Sequence, residues 1–277
     1  MYPAAMPGEQ ICEFGRQLKF FRHQRGWSQL GLAHAAGVSP RHVSFIETGR
    51  AQPSTEMVLR LASTLGIPLR EQNELLVAAG FAPRYPQRSF SGPMLAPMRK
   101  IVERLLAQHE PFPGVVLDRY WNVSLMNHAA ERLLQPLLDQ GPASTIDALL
   151  GSNSARGMLE NWDEVAWHTL LRLRRDASHA PGDLRLASLV QQLRELLCDV
   201  PMPPNLDPSA PLLESRLRLG EHLVRTVSTI ASFNAARDVT LDELRVELIF
   251  PADSDAEAFF REAAASNQVS TPDSRTV

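Results

Sequence analysis

The segment that most constrains the fold of this chain is SQLGLAHAAGVSPRHVSFIETGR, residues 28–50. Its apolar residues have helical spacing on both sides of Gly37, which allows the sharp backbone turn needed between two short helices. Ser28 and Ser39 each stand where a helix N-cap is expected, and Pro40 follows at a first helical position, where a missing N–H has no cost. The segment therefore predicts a helix–turn–helix.

The second helix of this segment is predicted to have an inward and an outward face. Val43 and Ile46 are three residues apart and are expected to face the core. The outward face then carries Arg41, Ser44 and Phe45. Arginine can donate two hydrogen bonds to a guanine edge, serine can bond a base or a phosphate, and phenylalanine can touch a thymine methyl. This face is suited to reading DNA bases.

A second set of residues is predicted to contact the DNA backbone. Gly49 ends the helix and Arg50 follows it, where a cation can meet a phosphate. In a first helix, which precedes the segment 28–50, the best candidates are Arg22 and Lys19. His42 lies at the flank of the face that carries Arg41, Ser44 and Phe45. The full predicted backbone set is Ser28, Ser39, His42, Arg50, Arg22 and Lys19.

Helical spacing continues on both sides of the segment. The residues expected to face a common core are Phe14, Leu18 and Phe21 in a first helix, Val58, Leu61, Ala62 and Leu65 in a fourth, and Leu75, Leu76 and Ala79 in a fifth. A serine or threonine cap at residues 54–55 starts the fourth helix, and Gly80 stops the fifth. Residues 1–80 are thus predicted to form an all-α domain.

The run from Phe14 to about Ala79 resembles the xenobiotic-response-element type of helix–turn–helix shared with lambdoid phage repressors and Cro. The resemblance rests on the pattern S-Q-x-x-L-A…G-V-S…V-S-x-I-E-x-G-R. It implies a five-helix bundle that places its third helix in the major groove of double-stranded DNA, with Gln29 contacting DNA. The predicted base-reading set is then Gln29, Arg41, Ser44 and Phe45. The alternative interpretation is a helical hairpin that binds another protein or only packs.

The charge is divided unevenly along the 277-residue chain. The net charge of -3 argues at first against nucleic acid, but residues 1–92 carry ten Lys or Arg against six Asp or Glu, a balance of +4. The remaining residues carry eighteen against twenty-five, a balance of -7. A basic module attached to an acidic body fits a DNA-binding domain joined to a domain that does not touch DNA.

A second domain is predicted after a linker. Residues 81–98 contain four prolines and little periodicity, which favours a linker. Beyond it, helical spacing is found at 98–108, 128–138, 145–198 and after 252, and strand-like spacing at 115–118, 122–126, 213–219, 222–233 and 241–250. This order predicts an α+β domain at 99–265, an antiparallel sheet with helices over one face, followed by a loose tail at 266–277.

The runs GVVLDRYWNVSLMNHAAERLL and NWDEVAWHTLLRLRRDA…GDLRLASLVQQL resemble the MmyB-like domain found on helix–turn–helix regulators in bacteria. The resemblance covers roughly residues 93–251. It implies a PAS-like fold whose cavity, between sheet and helices, accepts a small apolar ligand such as a fatty acid. The sequence departs from the commoner pattern after Cys198, where DVPMPPNLDPSAP lacks the tryptophan and histidine usually found.

Candidate walls of such a cavity are Trp121, Met126 and Trp167. Large aromatic side chains can line a pocket, yet they are more often plain core, so both interpretations stay open.

Catalysis, nucleotide binding and metal binding have little support in the sequence. No H-x-x-x-H pair, G-x-S-x-G or G-x-x-x-x-G-K-S/T pattern is present, and two widely separated cysteines build neither a disulfide framework nor a zinc site. No catalytic residue, metal or cofactor is predicted.

No run of about eighteen apolar residues is present, and the segment MYPAAMPGEQ lacks the charged-then-apolar order of a signal peptide, so a cytoplasmic protein is expected.

The predicted function is a DNA-binding transcriptional regulator whose second domain senses a small apolar ligand. A homodimer is expected because one helix–turn–helix reads only a half-site. The alternatives are a second domain that serves only as an oligomerisation or partner-binding scaffold, and, less favoured, an enzyme domain.

Overall fold

The computed structural model describes residues 7–138, 146, 150–151, 153–204, 206, 213–233 and 237–268, in two compact units. Unit 1 takes its described residues from Met1–Arg88, Arg175–Gly182 and Ala235–Asp242, and unit 2 takes them from Ser89–Arg174, Asp183–Asn234 and Glu243–Val277. Two short segments from the C-terminal half of the chain therefore belong to the same unit as the helix–turn–helix. The first residues of the predicted helical segment 145–198 and most of the predicted tail at 266–277 lie outside the described residues.

Unit 1 contains the predicted five-helix bundle. Its helices are α1 (Pro7–Gln24), α2 (Gln29–Ala36), α3 (Pro40–Glu47), α4 (Thr55–Thr64) and α5 (Leu69–Ala78). The predicted serine caps are confirmed, because the side-chain oxygens of Ser28, Ser39 and Ser54 accept hydrogen bonds from backbone N–H groups three residues on. Gly37 is left-handed, with φ at 65°, and makes the turn between α2 and α3.

The bundle encloses a single apolar core. All the residues predicted to face inward in the first, fourth and fifth helices are buried, together with Leu32 and Ala33 of α2 and Val43 and Ile46 of α3. Helix α1 passes very close to the C-terminal end of α3 at Gly15, where a Cβ atom would lie 2.6 Å from the carbonyl oxygen of Ile46. A glycine is therefore required at this crossing.

Unit 2 is built on an antiparallel sheet. The five strands described are β1 (Gly114–Leu117), β2 (Val123–Met126), β3 (Glu214–Leu219), β4 (His222–Ser232) and β5 (Arg245–Pro251), in the order β2-β1-β5-β4-β3. The described helices of unit 2 are α6 (Ala96–His109), α7 (His128–Leu138), α8 (Asn153–Met158), α9 (Trp162–Ser178) as far as Arg174, α10 (Leu184–Leu196) and α12 (Ser254–Gln268). Helix α11 (Val239–Glu243) belongs to unit 1 except for Glu243. The predicted α+β architecture is confirmed.

The prediction that helices cover only one face of the sheet is wrong. Val116 of β1 packs on one face with Val102 and Leu106 of α6. Its neighbours Val115 and Leu117 pack on the other face, against Ala130 and Leu134 of α7. All four residues of β1 are buried, so this strand has no exposed face, whereas alternating apolar residues by themselves predict burial on one face only.

The last predicted strand begins later than expected. Residues from Val239 to Glu243 form the short helix α11, and β5 starts only at Arg245. The side chain of Asp238 accepts a hydrogen bond from the N–H of Thr240, which caps the helix. Leu244 is buried between α11 and β5. The apolar residues before it have helical spacing and those after it alternate, so the two patterns overlap at this position. Among the described residues, no helix is both long and apolar enough to cross a membrane.

Candidate nucleic-acid interface

Helix α3 presents three of the four predicted base-reading residues on one surface. Val43 and Ile46 are fully buried and set the rotation of the helix about its axis. Arg41 is exposed on the opposite side, and Ser44 and Phe45 are partly exposed. The residues that sequence spacing assigned to an outward face are therefore brought together on the outward face of the bundle.

Arg41 and Phe45 interact with one another. The guanidinium carbon of Arg41 lies 5.0 Å from the centre of the Phe45 ring, one helical turn away. A cation held over an aromatic face in this way is stabilised by the ring quadrupole, by about 0.5–1 kcal/mol at an exposed site. A cation–π contact uses none of the guanidinium N–H groups as hydrogen-bond donors, so they can still donate to a base.

Behind this surface lies a buried ion pair that sequence reasoning missed. Arg22 of α1 donates from Nε to Oε1 of Glu47 at 2.6 Å and from Nη2 to Oε2 at 2.9 Å. A third donor, Nη1, bonds the carbonyl oxygen of Trp27 at 2.7 Å. The Arg22 and Glu47 side chains are only 6% and 1% exposed. This fork-like pairing joins α1 to the last turn of α3.

Arg22 is the one predicted backbone contact that the geometry contradicts. A side chain that is buried and bonded to Glu47 and Trp27 does not reach a phosphate, so Arg22 lies outside the surface that could meet DNA. The sequence did contain a signal for its partner. Glu47 follows Val43 by four residues and Ile46 by one, so it falls on the inward face of α3, where a carboxylate requires a buried cation.

Gln29 is connected to the same ion pair. Its side-chain amide nitrogen donates to Oε2 of Glu47 at 2.8 Å. Glu47 thereby ties the first residue of α2 to the end of α3. Gln29 is partly exposed at the N-terminus of α2, and its orientation depends on a residue in the next helix.

The other predicted backbone contacts remain compatible with the structure. Lys19 and Arg50 are exposed. Ser28 and Ser39 are exposed caps, and a hydroxyl that accepts a bond through its oxygen still has a proton to donate to a phosphate. His42 is partly exposed, and its backbone N–H donates to the hydroxyl oxygen of Ser39.

The three predicted wall residues of unit 2 do not form one group. Trp121 and Met126 are partly buried and pack against the same cluster of β1 and α7 residues. Trp121 has a left-handed backbone, with φ at 63°, and the guanidinium of Arg172 lies over its ring at 4.6 Å. Trp167 instead donates its indole N–H to the carbonyl oxygen of Val200. Only Trp121 and Met126 share a surface in this structure.

The part of the chain that the structure describes contains no cluster of metal-ligating side chains. No group of three or more His, Cys, Asp or Glu side chains there is arranged to hold a metal ion. Cys12 and Cys198 are exposed and are not joined in a disulfide.

The fold and the α3 surface define a helix–turn–helix protein joined to a second, α+β unit. Comparison with protein families agrees with both parts: residues 13–75 match a helix-turn-helix domain, and residues 98–263 match the MmyB-like transcription regulator ligand binding domain. The second match covers more than half of the chain. This protein belongs to the MmyB-like family of transcription regulators with a ligand-binding domain.

Similar proteins include uncharacterized HTH-type transcriptional regulators from Mycobacterium bovis and Mycobacterium tuberculosis, each 28% identical over 141 residues. Each match covers 47% of this chain and 48% of the relative, so it spans about half the length of these relatives. Among solved structures, two of the clp gene regulator ClgR from Corynebacterium glutamicum are similar, with identities of 31% and 25%. They cover 29% and 39% of this chain and 96% and 99% of those chains, each with a TM-score of 0.23.

Proposed function

We propose that this protein binds a DNA operator through α3 and adjusts that binding in response to a small apolar ligand held by unit 2. The observation that carries the DNA part is the outward surface of Arg41, Ser44 and Phe45, on a helix whose opposite face is buried in the bundle. In this proposal Arg41 reads a guanine, Ser44 bonds a base or a phosphate, and Phe45 contacts a thymine methyl.

The outward helix also needs to be held at the DNA surface. Donors to phosphate groups are supplied by Arg50, Lys19 and His42 and by the hydroxyls of Ser28 and Ser39, all of them exposed or partly exposed. Such contacts position the helix without reading sequence. Since one such module covers a half-site, the proposal includes a homodimer whose two reading helices lie about 34–36 Å apart on a two-part operator.

Exchanging Arg41 for alanine separates base reading from backbone binding. We expect Arg41→Ala to weaken binding to a selected operator by about 1–3 kcal/mol, and to relax base preference at one position of each half-site. Arg50→Ala is expected to weaken all sequences alike and to lower the slope of log affinity against log salt by about one unit per protomer. Fluorescence anisotropy on operators selected from a random library, at several salt concentrations, measures both effects.

Arg261→Ala is a suitable control, since Arg261 is an exposed arginine of α12 whose partner is Glu257 on the same helix. It is expected to leave operator binding unchanged. Equal loss of affinity for the operator and for random DNA in Arg41→Ala would contradict the base-reading role. Failure of the wild type to enrich any sequence from the library would contradict the operator proposal altogether.

The ligand part of the proposal is supported by an incompletely covered apolar surface in unit 2. Val115 and Leu117 of β1 are buried with residues of α7, while Trp121, Val123 and Met126 beside them stay partly exposed. Apolar side chains arranged around a buried cluster favour a ligand with a hydrocarbon portion, such as a fatty acid. A ligand that prefers one arrangement of unit 2 would shift operator affinity by linkage.

Replacing Trp121 tests the ligand proposal. Protein purified from cells is expected to carry an additional mass of a few hundred daltons in native mass spectrometry, because an apolar ligand buried in protein dissociates slowly. Trp121→Ala removes part of the proposed wall and is expected to retain less of this mass, while Trp167→Phe, which changes a residue outside that surface, retains it. Wild-type protein that carries no such mass and takes up no myristate would favour the alternative of a scaffold domain.

A further inference from the structure

Helix α5 differs from its neighbours in the way its N-terminus is capped. Helices α2, α3 and α4 are each capped by a serine from the loop immediately before them. Helix α5 follows Pro68, which provides no side-chain hydrogen bond. Its first N–H, on Leu69, instead donates to Oδ2 of Asp242 at 3.1 Å, a residue 173 positions away along the chain. A carboxylate at this place satisfies an unpaired N–H and complements the positive end of the helix dipole.

Asp242 is held in place by the segment that precedes it, which belongs to unit 1. The N–H of Val239 donates to the carbonyl oxygen of Pro86 at 2.9 Å. Arg88 forms an ion pair with Asp238, whose side chain is only 5% exposed, at 2.9 Å. The hydroxyl of Thr240 donates to the carbonyl oxygen of Arg88 at 2.6 Å. These bonds bring the cap of α5 from the C-terminal half of the chain.

The next residue, Glu243, is bound within unit 2. Its Oε1 accepts from Nη1 of Arg119 at 2.5 Å, and Nε of Arg119 lies 3.3 Å from Oδ2 of Asp183. The hydroxyl of Tyr120 donates to the same oxygen of Asp183 at 3.0 Å. The side chains of Arg119, Asp183 and Glu243 are 10%, 9% and 13% exposed. Sheltered from water, this cluster resists local rearrangement more than a surface ion pair does.

Arg119 belongs to the turn between β1 and β2, and so does Trp121. The turn is tightly specified: the carboxylate of Asp118 accepts from the N–H groups of Tyr120 and Asn122, and Trp121 has the positive φ of the left-handed region. That region is uncommon for a large side chain and persists only where the surroundings hold it. Trp121 and Arg119, two residues apart, therefore lie in one turn whose backbone is fixed by the bonds of Asp118.

We propose that Asp242 and Glu243 couple unit 2 to the DNA-binding bundle, with Glu243 anchored to the β1–β2 turn and Asp242 capping α5. The peptide bond between them carries a displacement of the turn to the cap. This inference deepens the proposed function, because it supplies the route by which a ligand at Trp121 would alter the bundle. By linkage, a ligand that strengthens the Arg119–Glu243 pair stabilises α5, and stabilisation of α5 in turn favours that ligand.

Hydrogen exchange of the full-length protein, without DNA or added ligand, tests the coupling directly. The amide of Leu69 is the reporter, since its hydrogen bond is the one that Asp242 supplies. In Asp242→Ala this amide is expected to exchange about 2- to 30-fold faster, the range that corresponds to loss of a helix N-cap. In Arg119→Gln, where only the distant anchor is removed, the same amide is expected to exchange at least 2-fold faster.

The matched control is Arg225→Gln, which breaks the exposed pair between Arg225 and Asp253 of unit 2 and is expected to leave the Leu69 amide unchanged. Unchanged exchange at Leu69 in Arg119→Gln, alongside faster exchange in Asp242→Ala, would overturn the coupling. Unchanged exchange in Asp242→Ala would overturn the cap itself. If backbone amides throughout unit 2 exchange faster in Arg119→Gln, the more conservative variant Arg119→Lys is used in its place. An unchanged exchange rate at the Leu69 amide in Arg119→Lys would then overturn the coupling.

The same samples distinguish this inference from the proposed function. Operator binding is measured in parallel on the wild type. A protein that enriches no operator but shows faster Leu69 exchange in Arg119→Gln would retain the coupling and lose the proposed DNA reading. If the wild type binds its operator and the Leu69 amide exchanges at the same rate in Asp242→Ala and Arg119→Gln as in the wild type, the proposed DNA reading is retained and the coupling is overturned.

Discussion

Glu47→Ala is expected to lower the free energy of unfolding of the bundle by about 3–5 kcal/mol. The substitution removes the carboxylate that accepts two hydrogen bonds from Arg22 and leaves a guanidinium that is only 6% exposed without its anion. Gln29 loses its partner at the same time. Urea denaturation followed by circular dichroism measures the loss, which is a large fraction of the stability of an ordinary domain.

A second variant shows whether the loss comes from the unpaired charge. In the double replacement Arg22→Met with Glu47→Leu, both ends of the pair become apolar and no buried charge remains. We expect the double variant to be more stable than Glu47→Ala, since apolar replacement of a whole buried pair is often close to neutral. A loss below about 1 kcal/mol in Glu47→Ala would show that the side chain of Arg22 reaches water, contrary to the buried geometry described above.

Gly15→Ala is expected to destabilise the bundle even though alanine favours a helix. The added Cβ would lie 2.6 Å from the carbonyl oxygen of Ile46 and 2.7 Å from that of Glu47. These are backbone atoms, so α1 and α3 must move apart, at a cost of about 1–3 kcal/mol or more. That exceeds the roughly 0.5–1 kcal/mol that alanine gains over glycine inside a helix. Urea denaturation measures the net loss, and operator affinity reports the displacement of α3.

Gly157→Ala provides the matched control. Gly157 lies in helix α8, and a Cβ there would meet no atom within 4 Å. The same substitution is therefore expected to be neutral or to stabilise unit 2 by up to about 1 kcal/mol. Gly15→Ala protein as stable as the wild type, with unchanged operator affinity, would mean that α1 and α3 do not cross as closely as this.

Local signals predicted the helix–turn–helix well. The caps at Ser28 and Ser39 and the inward pair Val43 and Ile46 depend on residues within four positions of one another, and all of them occur in the structure as expected. The outward surface of α3 follows from the same spacing. The DNA-reading roles of Arg41, Ser44 and Phe45 are proposed from that surface and from the hydrogen bonds and apolar contacts that these side chains can make.

The sheet was harder to predict, because burial of a strand depends on partners far along the chain. Val115 and Leu117 alternate as a strand with one buried face does, yet Val116 between them is buried too. Only the placement of α6 and α7 on opposite faces of β1 reveals this. Similarly, Leu241 fits both a strand and a helix, and the capping side chain of Asp238 decides for the helix.

By itself, the sequence determined where helices α2, α3 and α4 begin and which sides of the bundle helices are apolar, since caps and helical spacing act over one or two turns. Only the tertiary structure decided the partners of the polar groups that those helices carry. Arg22 meets Glu47 across 25 positions, and Leu69 meets Asp242 across 173. No local rule links such residues, because a buried charge or a free N–H specifies only the chemistry of the partner it requires. The packed chain supplies that partner from wherever the fold brings one.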